Sequence, residues 1–277
     1  MHFRTGAAAF LAVLVAFLAL TTRLPGMKGS AMTLMEYAMA KPRLPDAGST
    51  PVLVELFTSE GCSSCPPADA LVAQLGRSQP VRSANAIVLE EHVDYWDHLG
   101  WKDPFSSAAA SGRQSDYSQA FGGEQVYTPQ MIVDGKKEFV GSSESEALRA
   151  IRAAAETSKP AVQLSWADGG RLAIEVAPLA NASRGDTPQI YLAVTQDKLH
   201  SDVKRGENAG QALEHDGVVR QLTMVGKADS VSTGYSSSIA VHAAPEWARA
   251  NLRAVVFVQE RRSRHVLAVS SIPFPAA

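Results

Sequence analysis

Cys62 and Cys65 are the only cysteines in the 277-residue chain, and Ser63 and Ser64 separate them. A disulfide framework needs several cysteines spread along a sequence, and a structural zinc site needs two such pairs or added histidines. A single Cys-x-x-Cys pair suits thiol–disulfide exchange. Its flanks say which sulfur would act. Pro51-Val-Leu-Val-Glu-Leu-Phe-Thr58 reads as a strand buried on both faces, and Ser59-Glu60-Gly61 turns the chain. From about Ser64 the pattern is helical, with Leu71, Val72 and Leu75 on one stripe and Gly76 as the stop. Pro66 and Pro67 fit only a first helical turn. Cys62 is thus expected at or just before a helix N-terminus, where unpaired amides and the helix dipole lower a thiol pKa from ~8.5 into the range of roughly 3.5–7.5. Cys62 would attack, and Cys65, one turn further in, would resolve the mixed disulfide.

Other residues carry chemistry that such a pair uses. Glu55 interrupts an apolar strand; buried behind the cysteines, it would have a raised pKa and could relay the proton of Cys65. The strand Ala86–Val93 ends in His92-Val-Asp-Tyr-Trp-Asp97, expected on the same rim. His92 could hold a proton or steady the Cys62 thiolate. Asp94 and Asp97 could orient His92, with Tyr95, Trp96 and Trp101 as an aromatic wall lining the substrate site. Two other readings stay open: Cys62, Cys65 and His92 as ligands of copper or zinc, and an inert structural disulfide in a binding module. A metal is not the leading expectation, and no cofactor is expected, because no glycine-rich phosphate loop or Walker-type lysine occurs.

These residues need a scaffold, and the remaining pattern supplies one. A net charge of −2 with scattered Lys and Arg gives no basic face and argues against nucleic acid as a partner. Residues 7–20 are an uncharged run behind Arg4, shorter than the ~20 residues that span a bilayer. They read as a signal segment with Ala38-Met39-Ala40 as a distant cleavage site, or as a retained inner-membrane anchor; either places the body in an extracytoplasmic, oxidising compartment such as the periplasm. Residues 1–45 are therefore set apart as leader and linker. Beyond the first helix and second strand, residues 105–121 look helical and Pro129–Val133 is a strand. Asp134-Gly135 makes a tight hairpin into Lys137–Val140, and Ser143-x-x-Glu146 caps a helix through Ala155.

The resulting order, β-α-β-α-β-β-α over residues 50–158, resembles the thioredoxin core, with the site at the strand carboxyl ends. In thioredoxin-like proteins a cis-proline begins the third core strand beside the cysteine pair, and Thr128-Pro129 falls at that place. The resemblance implies that Pro129 and Thr128 hold an extended substrate by its backbone. A narrower resemblance rests on Val54–Asp69, His92–Asp97, Leu99-Gly-Trp-Lys-Asp-Pro-Phe105 and Val126-Tyr-Thr-Pro-Gln-Met131. These are similar to a family of bacterial secreted proteins described as domain of unknown function 1223, thioredoxin-like in fold and without an assigned substrate. Ser63-Ser64 replaces the Gly-Pro of ordinary thioredoxins. Protein or small-molecule thiols and disulfides are the partners this implies.

After Ser158-Lys159-Pro160 the texture changes to short strands, near 161–166, 172–176, 189–195, 218–225, 235–241, 254–259 and 266–271. They suggest an all-β, sandwich-like domain over 161–277. Within it, Arg205–Gly210 and Leu213-Glu-His-Asp-Gly-Val-Val-Arg220 form a structured loop that would shape substrate choice if it reached the cysteine rim.

Overall fold

A computed structural model describes residues 43–123, 125–228 and 233–276. The apolar run 7–20 and Ala38–Ala40 lie outside the described residues. Among the described residues, no helix is long and apolar enough to cross a membrane.

The fold is mixed α/β, built on one large sheet with three α-helices among the described residues. Strand β1 (Thr50–Thr58) pairs parallel with β2 (Ala84–His92) and antiparallel with β3 (Gln130–Val133), which pairs antiparallel with β4 (Lys137–Val140). The helices are α1 (Pro66–Ser78), α2 (Ala108–Ala120) and α3 (Glu144–Ala155). Alternation along β1 sorts its side chains. Val52, Val54 and Leu56 pack with Leu71, Val72 and Leu75 of α1 and with Ala147 and Ile151 of α3. Leu53 and Phe57 point to the other face, where Phe57 meets Ala110 and Tyr117 of α2. Helix α2 buries Ala110, Arg113, Gln114, Tyr117 and Ser118, a helical stripe that is mostly polar and therefore must be hydrogen-bonded.

Two local expectations change. Helix α1 runs through Gly76 and ends at Ser78, with Gln79 in the left-handed region at φ 47°. Gly76 is where the helix approaches β2, since a Cβ there would sit 3.0 Å from Val88 Cγ2. Ser143 does precede α3, but its side chain makes no capping hydrogen bond.

The second half forms strands where the pattern placed them, β5 (Val162–Ala167), β6 (Arg171–Val176), β7 (Pro188–Gln196), β10 (Val218–Lys227), β11 (Tyr235–Ala240), β12 (Leu252–Glu260) and β13 (Val266–Pro273), and adds a short unexpected pair, β8 (Leu199–Asp202) and β9 (Ala212–His215). They do not make a separate sheet system. The eight-stranded order β13-β12-β7-β10-β2-β1-β3-β4 runs across the expected boundary at residues 158–161. The join is the parallel contact of β10 with β2, where Val218 pairs with Glu90 and Glu90 N donates to Gly217 O at 2.9 Å. Sandwich-like packing is present, because the β11-β6-β5 sheet lays Leu172, Ile174 and Val176 on Ile190, Leu192, Val194, Val256 and Val258 of β7 and β12. That layer covers an extension of the first sheet.

The far end of the sheet also returns to its start. Phe257 of β12 and Val266 and Val269 of β13 pack on Leu53, Ile87 and Leu89. Val266 N donates to Asp134 O at 2.9 Å in the β3–β4 turn. Asp134 and Gly135 both have positive φ, 50° and 62°, as a primed two-residue turn requires.

Candidate functional site: a covered disulfide above a buried acid–imidazole cluster

Cys62 and Cys65 are joined by a disulfide, with Cα atoms 5.4 Å apart. The helix begins later than the sequence suggested. Cys65 is the N-cap residue, Pro66 and Pro67 occupy the first helical positions, and Cys62 lies a turn outside the helix. The prolines contribute no N–H, while the next two amides, of Ala68 and Asp69, both donate to Cys65 O at 2.8 and 3.1 Å. No unpaired first-turn amide is left to stabilise a thiolate, which corrects the expected source of activation. The polar group at the sulfur is instead Ser64, whose Oγ lies 3.3 Å from Cys62 Sγ.

Both cysteines are 0% exposed, although Ser63 and Ser64 between them face solvent. The cover comes from the loop between β8 and β9, inside the Arg205–Arg220 stretch. Asn208, itself fully buried, donates from Nδ2 to Glu60 O at 2.8 Å and Cys62 O at 3.0 Å. Glu207 accepts from Ser63 N at 3.0 Å and Ser63 Oγ at 2.6 Å. Gly206, at φ 79°, passes so close to Trp101 that a Cβ would lie 3.1 Å from the Trp101 Cβ. The loop thus reaches the cysteines and closes over them.

The Thr128–Pro129 bond is cis. Trp96 ties it to the cysteine loop: its Nε1 donates to Thr128 Oγ1 at 2.9 Å, and its Cβ lies 3.2 Å from where a Cβ on Gly61 would stand. Pro129 is buried, Thr128 half-buried, and Val126 and Tyr127 beside them are exposed. Tyr95 donates to Gln114 Oε1 at 3.1 Å, and Asp94 accepts from Ser111 Oγ at 2.5 Å. Asp94 and Asp97 therefore do not orient His92. Asp97 accepts from Asp103 N and Ser106 Oγ.

Glu55 shares a face with Leu53 and Phe57, opposite α1, so its carboxylate points away from the helix that carries the cysteines. Arg113 Nε donates to Glu55 Oε1 at 2.7 Å, and the Tyr117 hydroxyl donates to Oε2. Gln259 of β12 accepts from Arg113 and donates to Tyr117. Glu91 is 3.1 Å from Arg113 Nε, and burial pushes its carboxyl up to about 8. The proton relay assigned to Glu55 gives way to a structural cluster joining β1, β2, α2 and β12.

His92 belongs to a second buried cluster under the cysteine loop. Its Nδ1 is 2.7 Å from Asp103 Oδ2, and its Nε2 is 3.2 Å from Glu90 Oε1. That same oxygen is 2.6 Å from His215 Nδ1, and His215 Nε2 lies 3.3 Å from Glu60 Oε1. Glu60 Oε2 accepts from Trp101 Nε1 at 2.7 Å, and Glu60 N donates to Asp103 Oδ2 at 2.9 Å. Asp69, one turn past Cys65, accepts from Thr58 Oγ1 at 2.5 Å and is raised to about 7 by burial and by Glu90. Burial opposes charging His92, but Asp103 and Glu90 outweigh it and hold the imidazole up at about 9. His215 is held higher, at about 11, by Glu90 and Glu60 against the same opposition. No lysine or arginine among the described residues pairs with these acids.

The structure thus links the Cys62–Cys65 loop to Thr128 and Pro129 through Trp96, sets Tyr95 and Asp94 against α2, and turns Glu55 to the face opposite α1. It brings His92 to Glu90 and His215 rather than to the sulfurs, so Cys62, Cys65 and His92 are not assembled as a ligand set. Sequence reasoning missed Glu60, Asp69, Glu90, Asp103, Glu207, Asn208 and His215. A signal existed for His215 and Asn208, since the 205–220 stretch is rich in polar groups. None existed for its pairing with Glu90.

Comparison with solved structures finds a protein of Agrobacterium tumefaciens at 25% identity and a TM-score of 0.62, covering 82% of this chain and 94% of that one. HBP35 of Porphyromonas gingivalis matches at 12% identity and a TM-score of 0.58, over 82% of this chain and 76% of that one; this is a likeness of fold. A search of curated proteins finds no match. The family model described as "Protein of unknown function (DUF1223)" matches residues 53–259, and the chain belongs to that family.

Proposed function

We propose that this chain is an extracytoplasmic thiol–disulfide oxidoreductase of thioredoxin type whose working bond, Cys62–Cys65, is exposed by movement of the 203–211 loop. The observation that carries the reading is the shared rim: the disulfide precedes α1 directly, and Trp96 couples its loop to the cis Thr128–Pro129 bond. The order β2-β1-β3-β4, with β1 and β2 parallel, supports a thioredoxin-type core. The uncharged run 7–20 supports export.

In the oxidised form, a substrate thiolate attacks Cys62 Sγ. The Cys62–Cys65 bond breaks, Cys65 leaves as a thiolate, and a mixed disulfide forms. A second substrate thiolate then releases Cys62; two electrons pass from the substrate dithiol to the protein pair, and the substrate leaves as a disulfide. The reverse sequence starts from the Cys62 thiolate, steadied by Ser64, and Cys65 resolves. Asp69, one turn past Cys65 in α1, would take the proton-handling role expected of Glu55. Exposed Val126 and Tyr127 and the backbone at Thr128 would hold the substrate chain.

A second reading, a binding module with a structural disulfide, is favoured by the zero exposure of both cysteines. Two measurements separate them. A redox-buffer titration should place a working pair between roughly −270 and −120 mV, whereas a structural bridge sits below about −300 mV. The Cys65→Ala variant should accumulate a mixed disulfide on Cys62. A potential below that limit, together with no trapped adduct, overturns the exchange reading.

A further inference from the structure

From the cluster beneath the cysteine loop we infer a metal site: a divalent first-row ion held by Glu90, His92 and His215. One donor atom from each lies within 4.8 Å of the others, and all three residues are buried. The donor set, two imidazoles and a carboxylate, is one that zinc and its neighbours accept.

Geometry supports the assignment independently of that count. In metal sites, a ligating imidazole generally gives its other nitrogen to a carboxylate, which fixes ring orientation and tautomer. His92 is arranged so, while His215 Nε2 faces Glu60 Oε1 without forming a hydrogen bond. His92 points Nε2 at Glu90 and Nδ1 at Asp103, 2.7 Å away. His215 points Nδ1 at Glu90 and Nε2 at Glu60, 3.3 Å away. The rings meet edge to face with centroids 4.8 Å apart, converging on the Glu90 carboxylate. Glu90 Oε2, Glu60 Oε1 and Asp69 Oδ2 are all buried without a hydrogen-bond partner. Orphaned carboxylate oxygens inside a closed cluster are costly, and a cation gives them a partner.

Charge leads to the same place. Glu60, Glu90, Asp103 and Asp69 surround two imidazoles with no lysine or arginine in the group. A divalent ion would offset two of those negative charges, with the imidazoles ligating in their neutral form. The ion would tie the end of β2 to β9, and through Glu60 and Asp103 to the loop that carries Cys62. Full burial makes it a structural or locking ion, and the site stands whether or not the disulfide exchanges.

The test uses the purified whole chain, stripped with chelator and refolded with or without Zn2+. One zinc should be retained per chain, with a raised melting temperature. Cys62→Ser/Cys65→Ser should keep the ion, while Glu90→Gln/His215→Gln should lose it. Asp103→Asn should weaken binding about 10- to 100-fold. Should the double variants fail to fold, Co2+ substituted into the reduced wild-type chain decides: visible ligand-field bands without thiolate charge transfer support the site. No zinc or cobalt uptake by the refolded wild-type chain, loss of the ion on removing the cysteines, or a thiolate-to-cobalt band overturns it.

Discussion

Asn208 lies 146 residues from Cys62 in the chain, yet its Nδ2 donates to the Cys62 carbonyl at 3.0 Å while also holding Glu60 O at 2.8 Å. Access to the disulfide therefore depends on a side chain from the other half of the sequence. Asn208→Ala removes two buried hydrogen bonds, a loss of ~1–3 kcal/mol. If opening precedes reduction, the rate of reduction by dithiothreitol should rise by about 5- to 150-fold, since 1.4 kcal/mol is a factor of ten. Alkylation of the released thiols followed by mass spectrometry measures it. An unchanged rate means that the loop does not gate the bond.

Acid should loosen the same cover. Glu207 is exposed, and its hydrogen bonds from Ser63 hold its carboxyl below the usual value of 4.5. In the open state that contact is absent and the ordinary value returns. Protons therefore bind the open state more readily, and the closed form loses ground as pH falls below about 4.5. Reduction of the disulfide by a phosphine that works in acid should speed up across that range in the wild type. In Glu207→Gln the dependence should flatten. A wild-type rate that stays level, or slows, between pH 6 and pH 3.5 contradicts the contact.

How much of this was legible in the sequence follows from the range of each signal. Local chemistry read well: β1, the proline-marked start of α1, the Asp134–Gly135 turn and the longer strands of the second half come from contiguous pattern, whereas the short β8–β9 pair reads as loop. Glu55 misled because a strand buried on both faces reads as a continuous apolar run, which does not say which face carries the cysteines' helix. The join of the two halves was illegible for a different reason. It rests on one register pair, Val218 with Glu90, and no pattern in either strand announces a single parallel contact between residues so far apart. His215 reaches Glu90 only because that contact exists.

The Glu55 cluster should be worth more to stability than to the site. Arg113 is buried and holds Glu55 while touching Gln259 and Tyr117, so Arg113→Met leaves a buried carboxylate without its cation. Breaking a buried pair from one side costs about 3–5 kcal/mol. Urea denaturation should show that loss, and Arg113→Lys should recover only part of it, because an ammonium cannot reproduce the guanidinium fork. The disulfide's reduction rate, measured well below the denaturation midpoint, should stay within about twofold of the wild type, since the cluster lies on the face of β1 opposite α1. A large change in that rate would mean that Glu55 communicates with the cysteines after all.

Gly135 tests whether the sheet's two ends are held together. Its φ of 62° is unfavourable for other residues, and a Cβ there would fall 1.9 Å from Arg264 O, a backbone atom that cannot swing aside. Gly135→Ala must therefore displace the β12–β13 turn from the β3–β4 turn and break the bond from Val266 N to Asp134 O. The expected cost exceeds about 1 kcal/mol, more than the φ penalty of a turn glycine alone. A control separates the two contributions: at Gly169, φ is 70° and no atom lies within 4 Å of the added Cβ, so Gly169→Ala carries the conformational cost without the collision. If chemical denaturation gives equal losses for the two variants, the turns are not in contact in solution and the return of β13 onto β1 is wrong.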